Sequence, residues 1–324
     1  MKRITVVSPC YNEEENVRHC YDTVKRLFSE SLQNYEREHI FSDNCSTDRT
    51  VSILRELAGS DPNVKVILNA RNFGPFRSLF NGLRYATGDA IIVFLPVDLQ
   101  DPPELIPEFV KHWENGIEVV AGARVNRDET RVLRACRWIF YRTVNGLSDF
   151  EIPPDVGEFQ LIDRKVWTAV MAHNDHYPFI RGIIASCGFK RLIVPYTWRS
   201  RARGISKNNL PRLIDQALNG IFSFTNAPMR FCTFAGFALA TVCIGYALAS
   251  LLAYLFLPHM APRGTTTIIF SIFFLSGVQL IFIGILGEYV TSTHSQVRRG
   301  PLVTERERLN IDLSSQPAAR GSRE

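Results

Sequence analysis

The sequence predicts an α/β domain built on a parallel, doubly wound sheet, followed by two membrane-spanning helices. Over the first 200 residues, short apolar runs alternate with segments of helical period, the pattern of successive βαβ units. Polar, loop-forming clusters follow those runs one after another. Beyond Arg230 the composition changes: Phe231–Leu257 and Thr265–Gly287 contain no charged residue, and each exceeds the roughly 20 residues needed to span a bilayer.

Taken in order, Ile4–Ser8 reads as the first strand. Glu13–Phe28 reads as a helix with Val17, Cys20, Tyr21, Val24 and Leu27 on one face. Glu36–Phe41 is the second strand, and Ser46 or Thr47 caps a helix through Leu57. Val64–Leu68 is the third strand and Phe76–Ala86 the next helix. Ala90–Leu95, uninterrupted and apolar, suits a buried parallel strand. Pro96 ends it, Asp98, Gln100 and Asp101 follow, and Pro103 with Glu104 opens another helix. Ile117–Ala121 is a fifth strand. The basic segment Thr130–Leu147 carries Leu133, Trp138, Ile139, Phe140 and Tyr141, and either packs on the sheet or lies in a membrane interface. Asn209–Phe224, directly before the first apolar stretch, is expected in that interface.

The expected organisation is a domain over 1–208, a juxtamembrane amphipathic helix over 209–230, a two-helix hairpin over 231–290, and a basic tail over 291–324 whose end is disordered. Arg199, Arg201, Arg203, Lys207, Arg212 and Arg230 precede the first apolar stretch, and Arg298, Arg299, Arg306 and Arg308 follow the second. The connector between them carries only Arg263, so both termini are expected in the cytoplasm of a bacterial inner membrane. Lys2 and Arg3 lead straight into a strand rather than a cleavable signal. The seven cysteines show no paired spacing, which argues against a disulfide framework or a zinc site.

Three loops are expected at one edge of the sheet. Pro9-Cys10-Tyr11-Asn12-Glu13 follows the first strand, Ser42-Asp43-Asn44-Cys45-Ser46-Thr47-Asp48 the second, and Asp98-x-Gln100-Asp101 the fourth. The carboxyl ends of parallel strands are where open α/β sheets bind ligands. Tyr11 is placed to stack on a base, Asp43 to accept from a base or ribose, and Asp98 with Gln100 to hold Mg²⁺ or Mn²⁺ on a diphosphate. Singly, such runs are ordinary turns and caps; together, in order, they indicate a nucleotide site. The chain lacks both GxGxxG after the first strand and GxxxxGK[ST] anywhere, which disfavours dinucleotide and P-loop chemistry. No nucleic-acid partner is expected.

SPCYNEEENV, SDNCSTDRT and VDLQDPPEL resemble the motifs of inverting family-2 glycosyltransferases with a GT-A fold. Arg201-x-x-Gly204-x-Ser206-Lys207, a helix ending FSFTNAPMR, paired apolar stretches and GEYV before a basic run narrow the resemblance to the polyisoprenyl-phosphate glycosyltransferases, over roughly residues 3–305. That group resembles dolichol-phosphate mannose synthase and the bactoprenol glucosyltransferases. The resemblance implies transfer from a nucleotide sugar, most often a UDP-sugar, to the phosphate of a polyprenyl lipid. It implies that Pro9, Tyr11, Asn12, Glu13 and Asp43 hold the nucleotide, and that Asp98 and Gln100 serve the metal and diphosphate. Arg124, Arg201 and Lys207 match basic residues near the donor diphosphate and acceptor phosphate, while Glu158 joins Asp98 as a catalytic candidate that orients sugar or acceptor.

Three departures bear on specificity. Pro96 stands where the family has the first Asp of Asp-x-Asp, Gly157-Glu158-Phe159-Gln160 replaces Gly-Asp-Phe-Arg, and Asp43-Asn44-Cys45-Ser46 replaces Asp-Asp-Gly-Ser. They leave open a non-catalytic membrane partner that keeps the fold. A processive polysaccharide synthase shares the first motifs, but PYTWRSRARG lacks its Gln-x-x-Arg-Trp and two apolar stretches are too few for a polymer channel. A homo-oligomer is also possible.

Overall fold

The computed structural model describes residues 1–125, 153, 155–173, 178–198, 227–256, 264–297 and 300–311. The described elements fall into two compact units, one holding a sheet with its flanking helices and the other a pair of long helices.

In the first unit the chain runs β1 (Lys2–Cys10), α1 (Val17–Ser31), β2 (Tyr35–Asp43), α2 (Thr50–Ser60), β3 (Val64–Asn69), α3 (Pro75–Leu83) and β4 (Ala90–Ile92). A 3₁₀ turn at Pro103–Leu105 precedes α4 (Ile106–Glu114) and β5 (Val119–Val125). Then come β6 (Val156–Asp163), α5 (Arg164–Ala172), α6 (Ile180–Ser186) and β7 (Arg191–Thr197). The last strand of this unit is β8 (Glu305–Leu309).

The eight strands form one sheet in the order β7-β5-β6-β4-β1-β2-β3-β8. β4, β1, β2 and β3 are parallel neighbours, and β5 is parallel to β7. β6 runs antiparallel to both β4 and β5, and β8 antiparallel to β3. The sheet is therefore mixed and mostly parallel rather than wholly parallel. The inner parts of the four central strands are covered on both faces; Ile4, Val6, Val7, Ile40, Phe41, Val66, Ile67, Ile91 and Ile92 are fully buried.

Several expected boundaries move for local reasons. α1 starts at Val17 rather than Glu13, since Asn12 takes a left-handed conformation (φ 53°) and the Glu13 carbonyl accepts from Asn16 N and Val17 N in a turn. Phe28, rather than the partly buried Leu27, completes the inner face. α2 starts at Thr50, whose N–H donates to Asp48 Oδ1 at 3.0 Å, so Ser46 and Thr47 do not cap it. The β4 ladder shortens to three residues, yet Val93 N still donates to the Gln160 carbonyl and Leu95 N to that of Val7, both at 2.9 Å. The chain thus stays on the sheet up to Pro96.

β8 lies within the stretch expected as a tail. Ala70 N donates to the Thr304 carbonyl at 2.9 Å, and Leu302 and Val303 are buried. Asn310 donates from Nδ2 to the carbonyls of Ala58 at 2.7 Å and Val64 at 2.9 Å, closing the ends of α2 and the turn into β3. Glu305 accepts from Asn81 Nδ2 at 2.7 Å and Tyr85 OH at 2.8 Å, and pairs with Arg308. An edge that β3 would otherwise present for intermolecular pairing is covered in this way.

The second unit contains α7 (Ala227–Phe256) and α8 (Thr265–Val297). The described residues of both expected apolar stretches are therefore helical. Among the described residues one window, Phe274–Thr291, is long and apolar enough to cross a membrane, and Phe231–Val242 is a shorter apolar stretch. A pair of spans is thus not established. The basic segment at 130–147, the expected interfacial helix at 209–224, Arg201 and Lys207 lie outside the described residues.

Candidate active site

The loops after β1 and β2 are built into each other. Asn12 N donates to Ser46 Oγ at 2.8 Å, and Asn12 Oδ1 accepts from Thr47 N at 2.8 Å. Glu13 N donates to Thr50 Oγ1 at 2.9 Å, and Glu14 N to Asp48 Oδ2 at 3.2 Å. Ser46 and Thr47 are thus used to lock two loops, the task that displaced them from capping. Half-buried Pro9, Tyr11, Asn12 and Glu13 line this junction, and the Glu13 carboxylate accepts from Asn16 Nδ2 at 2.7 Å.

Asp43 closes β2 opposite Cys10. It is buried, and Ser46 serves it twice, through its hydroxyl and through its N–H at 3.0 Å. Burial raises its carboxyl pKa above the ordinary value, against the lowering effect of those Ser46 bonds. Burial likewise pushes the neighbouring Cys10 thiol well up, helped by the charges of Asp43 and Glu13, so this cysteine is not a thiolate nucleophile. Asn44, at the place of the family's second Asp, is also buried. It donates to Asn72 Oδ1 at 2.8 Å and accepts from Phe73 N at 2.9 Å. Its amide joins the β3–α3 loop to the site, which a carboxylate could not do from both ends because it has no N–H to donate. Sequence reading missed this role; the paired asparagines at 69 and 72 were the available signal.

The loop after β4 turns at Leu99, which has φ 51°, with Leu99 N donating to the Pro96 carbonyl at 2.9 Å. Asp98 and Gln100 are half-buried, and Asp98 Oδ1 accepts from Gln100 N at 3.3 Å. Asp101 is different. Its side chain is wholly buried and receives Arg124 bidentately, Nε to Oδ1 at 3.1 Å and Nη2 to Oδ2 at 2.8 Å. Tyr196 OH donates to the same carboxylate and lies 3.1 Å from Arg124 Nε, while Trp198 places its ring 5.3 Å from the guanidinium. Burial disfavours the Arg124 charge, but Asp101 and Tyr196 outweigh it and raise the guanidinium pKa. Burial, then Asp101, raises Tyr196. Asp101 is thus a structural anchor, and Arg124 is already charge-balanced.

Close packing holds this anchor in place. A Cβ at Gly122 would sit 2.8 Å from Tyr196 Cε1, and one at Gly157 3.4 Å from Arg124 Nε. Next along β6, Glu158 Oε1 lies 3.7 Å from Arg181 Nε, and Gln160 donates to the Gly157 carbonyl at 2.7 Å. Gln160 is buried and folded back on its own strand, so the residue in place of the family's Arg serves β6 itself. Tyr196, Trp198 and Arg181 were also missed by sequence reading. Tyr196 and Trp198, two positions apart at the end of a strand, share one face, which was the legible sign.

Residues that could hold a divalent cation are few. Among the described residues no three His, Cys, Asp or Glu side chains cluster, and Asp101 is occupied by Arg124. One carboxylate from Asp98 and one amide oxygen from Gln100 fit a hard cation that takes its other ligands from water and substrate phosphate. They do not make a self-sufficient protein cage.

Comparison with known proteins then adds a second line. The model of the family described as "Glycosyl transferase family 2" matches residues 5–169. The chain is 38% identical to the "Prophage bactoprenol glucosyl transferase homolog" of Escherichia coli (strain K12), over 92% of this chain and 97% of that protein. It is 37% identical to the "Bactoprenol glucosyl transferase" of Shigella phage SfII, over 92% of this chain and 96% of the phage protein. A solved structure of a mannosyltransferase from Pyrobaculum calidifontis, in complex with GDP-Man and Mn²⁺, aligns with a TM-score of 0.47 at 16% identity, over 92% of this chain and 87% of that one.

Proposed function

Because the chain belongs to glycosyl transferase family 2, we propose that it moves a sugar from a nucleotide sugar, a UDP-sugar in our reading, to the phosphate of a polyprenyl lipid. It is a glycosyltransferase; donor and acceptor are the proposal. The observation that carries it is topological: the interlocked Asn12–Glu13 and Asp43–Ser46 loops and the Asp98–Gln100 turn follow the parallel neighbours β1, β2 and β4, in a chain similar along most of its length to proteins named bactoprenol glucosyl transferase.

In this reading Tyr11 stacks on the base, Asp43 accepts from base or ribose, and Pro9, Asn12 and Glu13 shape the pocket around the nucleotide. Asp98 and Gln100 face the diphosphate and would hold Mg²⁺ or Mn²⁺ there. A divalent ion so held would neutralise charge on the leaving diphosphate. A lipid monophosphate, with a second pKa of about 6, is mostly a dianion near neutral pH. It is already a nucleophile, so the protein needs no strong general base; its tasks are to set two anions in line and to exclude water. The half-buried Glu158, paired with Arg181, then orients the sugar or acceptor rather than taking a proton. Attack from the face opposite the diphosphate inverts an α-linked donor to a β-linked lipid phosphate sugar. Arg201 and Lys207 are proposed to meet the acceptor phosphate beside the bilayer, with α7 and α8 as a membrane hairpin and both termini cytoplasmic.

The test is a transfer assay on the full chain in detergent, offering UDP-, GDP- and dTDP-sugars with a polyprenyl phosphate and reading product lipid by mass. One donor should give glycosylated lipid phosphate. No product with any donor would sink the proposal.

A further inference from the structure

Two arginines approach the first residues of β6, and they are not equivalent. Arg124 lies against Gly157 and is held from both nitrogens by Asp101. Arg181 comes from the start of α6 and meets the residues on either side, donating from Nη1 to the Val156 carbonyl at 3.3 Å and facing Glu158. Its Cζ stands 4.6 Å from the ring centroid of Phe179. The Arg181–Glu158 separation of 3.7 Å lies within ion-pair range but is too long for a hydrogen bond. Arg181 Nε is buried and has no hydrogen-bond partner among the described residues.

A buried charged donor left without an acceptor costs stability, and native structures seldom keep one without use. Guanidinium is also the side chain best shaped for two-point contact with phosphate oxygens. Stacking on Phe179 and the bond to Val156 hold the group in place before any ligand arrives. What it lacks is an oxyanion, and Glu158 supplies that only at a distance.

We propose that Arg181 is a phosphate-binding residue of this site, exchanging its loose pairing with Glu158 for hydrogen bonds to a phosphate oxygen of a bound substrate. The inference rests on the transferase reading above and adds a residue to it. Either the donor diphosphate or the lipid monophosphate has the required chemistry.

Calorimetry on the full chain in detergent separates these sources. UDP, GDP and a polyprenyl monophosphate are titrated into wild type, Arg181→Gln, Arg181→Lys and Glu158→Gln. Arg181→Gln should weaken one ligand class tenfold or more, with Arg181→Lys recovering part of the loss. A loss confined to a nucleoside diphosphate assigns Arg181 to the donor, and one confined to the lipid assigns it to the acceptor. Glu158→Gln should keep or tighten that same affinity, since it removes a competing carboxylate, an effect that a purely structural brace would not produce. Unchanged affinity for every ligand in Arg181→Gln overturns the proposal. So does equal weakening in both arginine variants with a lowered thermal midpoint, which would mark a brace. Wild type that binds the ligands but transfers no sugar fails the transferase reading alone; wild type that binds none fails both.

Discussion

At the scale of single residues, two aspartates three positions apart have opposite duties. Asp98 is half-buried on the loop after β4, where we propose the metal and diphosphate bind, whereas Asp101 is wholly buried against Arg124. Asp98→Ala is expected to lower turnover by about 100-fold or more while leaving the thermal midpoint near that of wild type. Asp101→Asn is expected to cost about 3 kcal/mol of stability, because it strands a buried guanidinium; a denaturant titration of both variants checks the contrast. The sequence shows an Asp-x-Gln-Asp run but not this division, since burial depends on Arg124 and Tyr196, which arrive from β5 and β7. Pro96 has no ligand atom, so metal binding is expected to be weak alone and much tighter with nucleoside diphosphate, a coupling that must be reciprocal. Pro96→Asp should strengthen metal binding without nucleotide. Equal metal affinity in both proteins, with and without nucleotide, would place the ion elsewhere.

At the scale of elements, the strands that sequence reading found are those buried on both faces. β1, β3 and β4 declare themselves by mostly apolar runs and β2 by its place between two helices; β6 and β8 do not. In β6 the polar residues Glu158 and Gln160 interrupt the run; Gln160 bonds to the Gly157 carbonyl, and Glu158 faces Arg181 in a loose ion pair. In β8, Glu-Arg-Glu-Arg-Leu looks like a solvated tail, but it is an edge strand whose Glu305, Glu307 and Arg308 all find partners in the sheet domain or in the strand itself. Asn310, in left-handed conformation at φ 56°, then ties down α2 and the turn into β3. Asn310→Ala should cost about 1–3 kcal/mol, because it leaves buried carbonyls without a donor. Loss of less than a few tenths, measured by thermal unfolding, would show that β8 rests on the sheet without securing it. In β2, His39 is fully buried and its ring lies 3.0 Å from Ser8 Oγ. Burial, with Arg37 adding to it, pulls its pKa well below the ordinary value. The unfolded chain therefore binds a proton that the folded chain refuses, and stability falls as pH drops below about 6.5. His39→Asn should flatten that acid limb of thermal midpoint against pH. An unchanged slope would assign it to carboxylates instead.

At the scale of the whole molecule, a sheet domain recognisable from its loops is joined to two long helices and regains the chain at β8. The half proposed to face a nucleotide could be read as a candidate from the sequence because its residues lie in short contiguous motifs at strand ends. Arg124 was named from its sequence match, but its partners Tyr196, in β7, and Trp198, just beyond it, join it only in the fold, and Arg181 reaches Glu158 from α6. The proposed function makes the phosphate of a membrane lipid the nucleophile, already charged and in need of no general base. It is tested most directly by offering the purified full chain a labelled nucleotide sugar with either a polyprenyl phosphate or the matching polyprenol, and determining the anomeric configuration of any product by NMR. The expected products are a β-linked sugar on the phosphate from an α-linked donor, and none from the alcohol. Glycosylation of the polyprenol, or an α-linked product from the same donor, would contradict it.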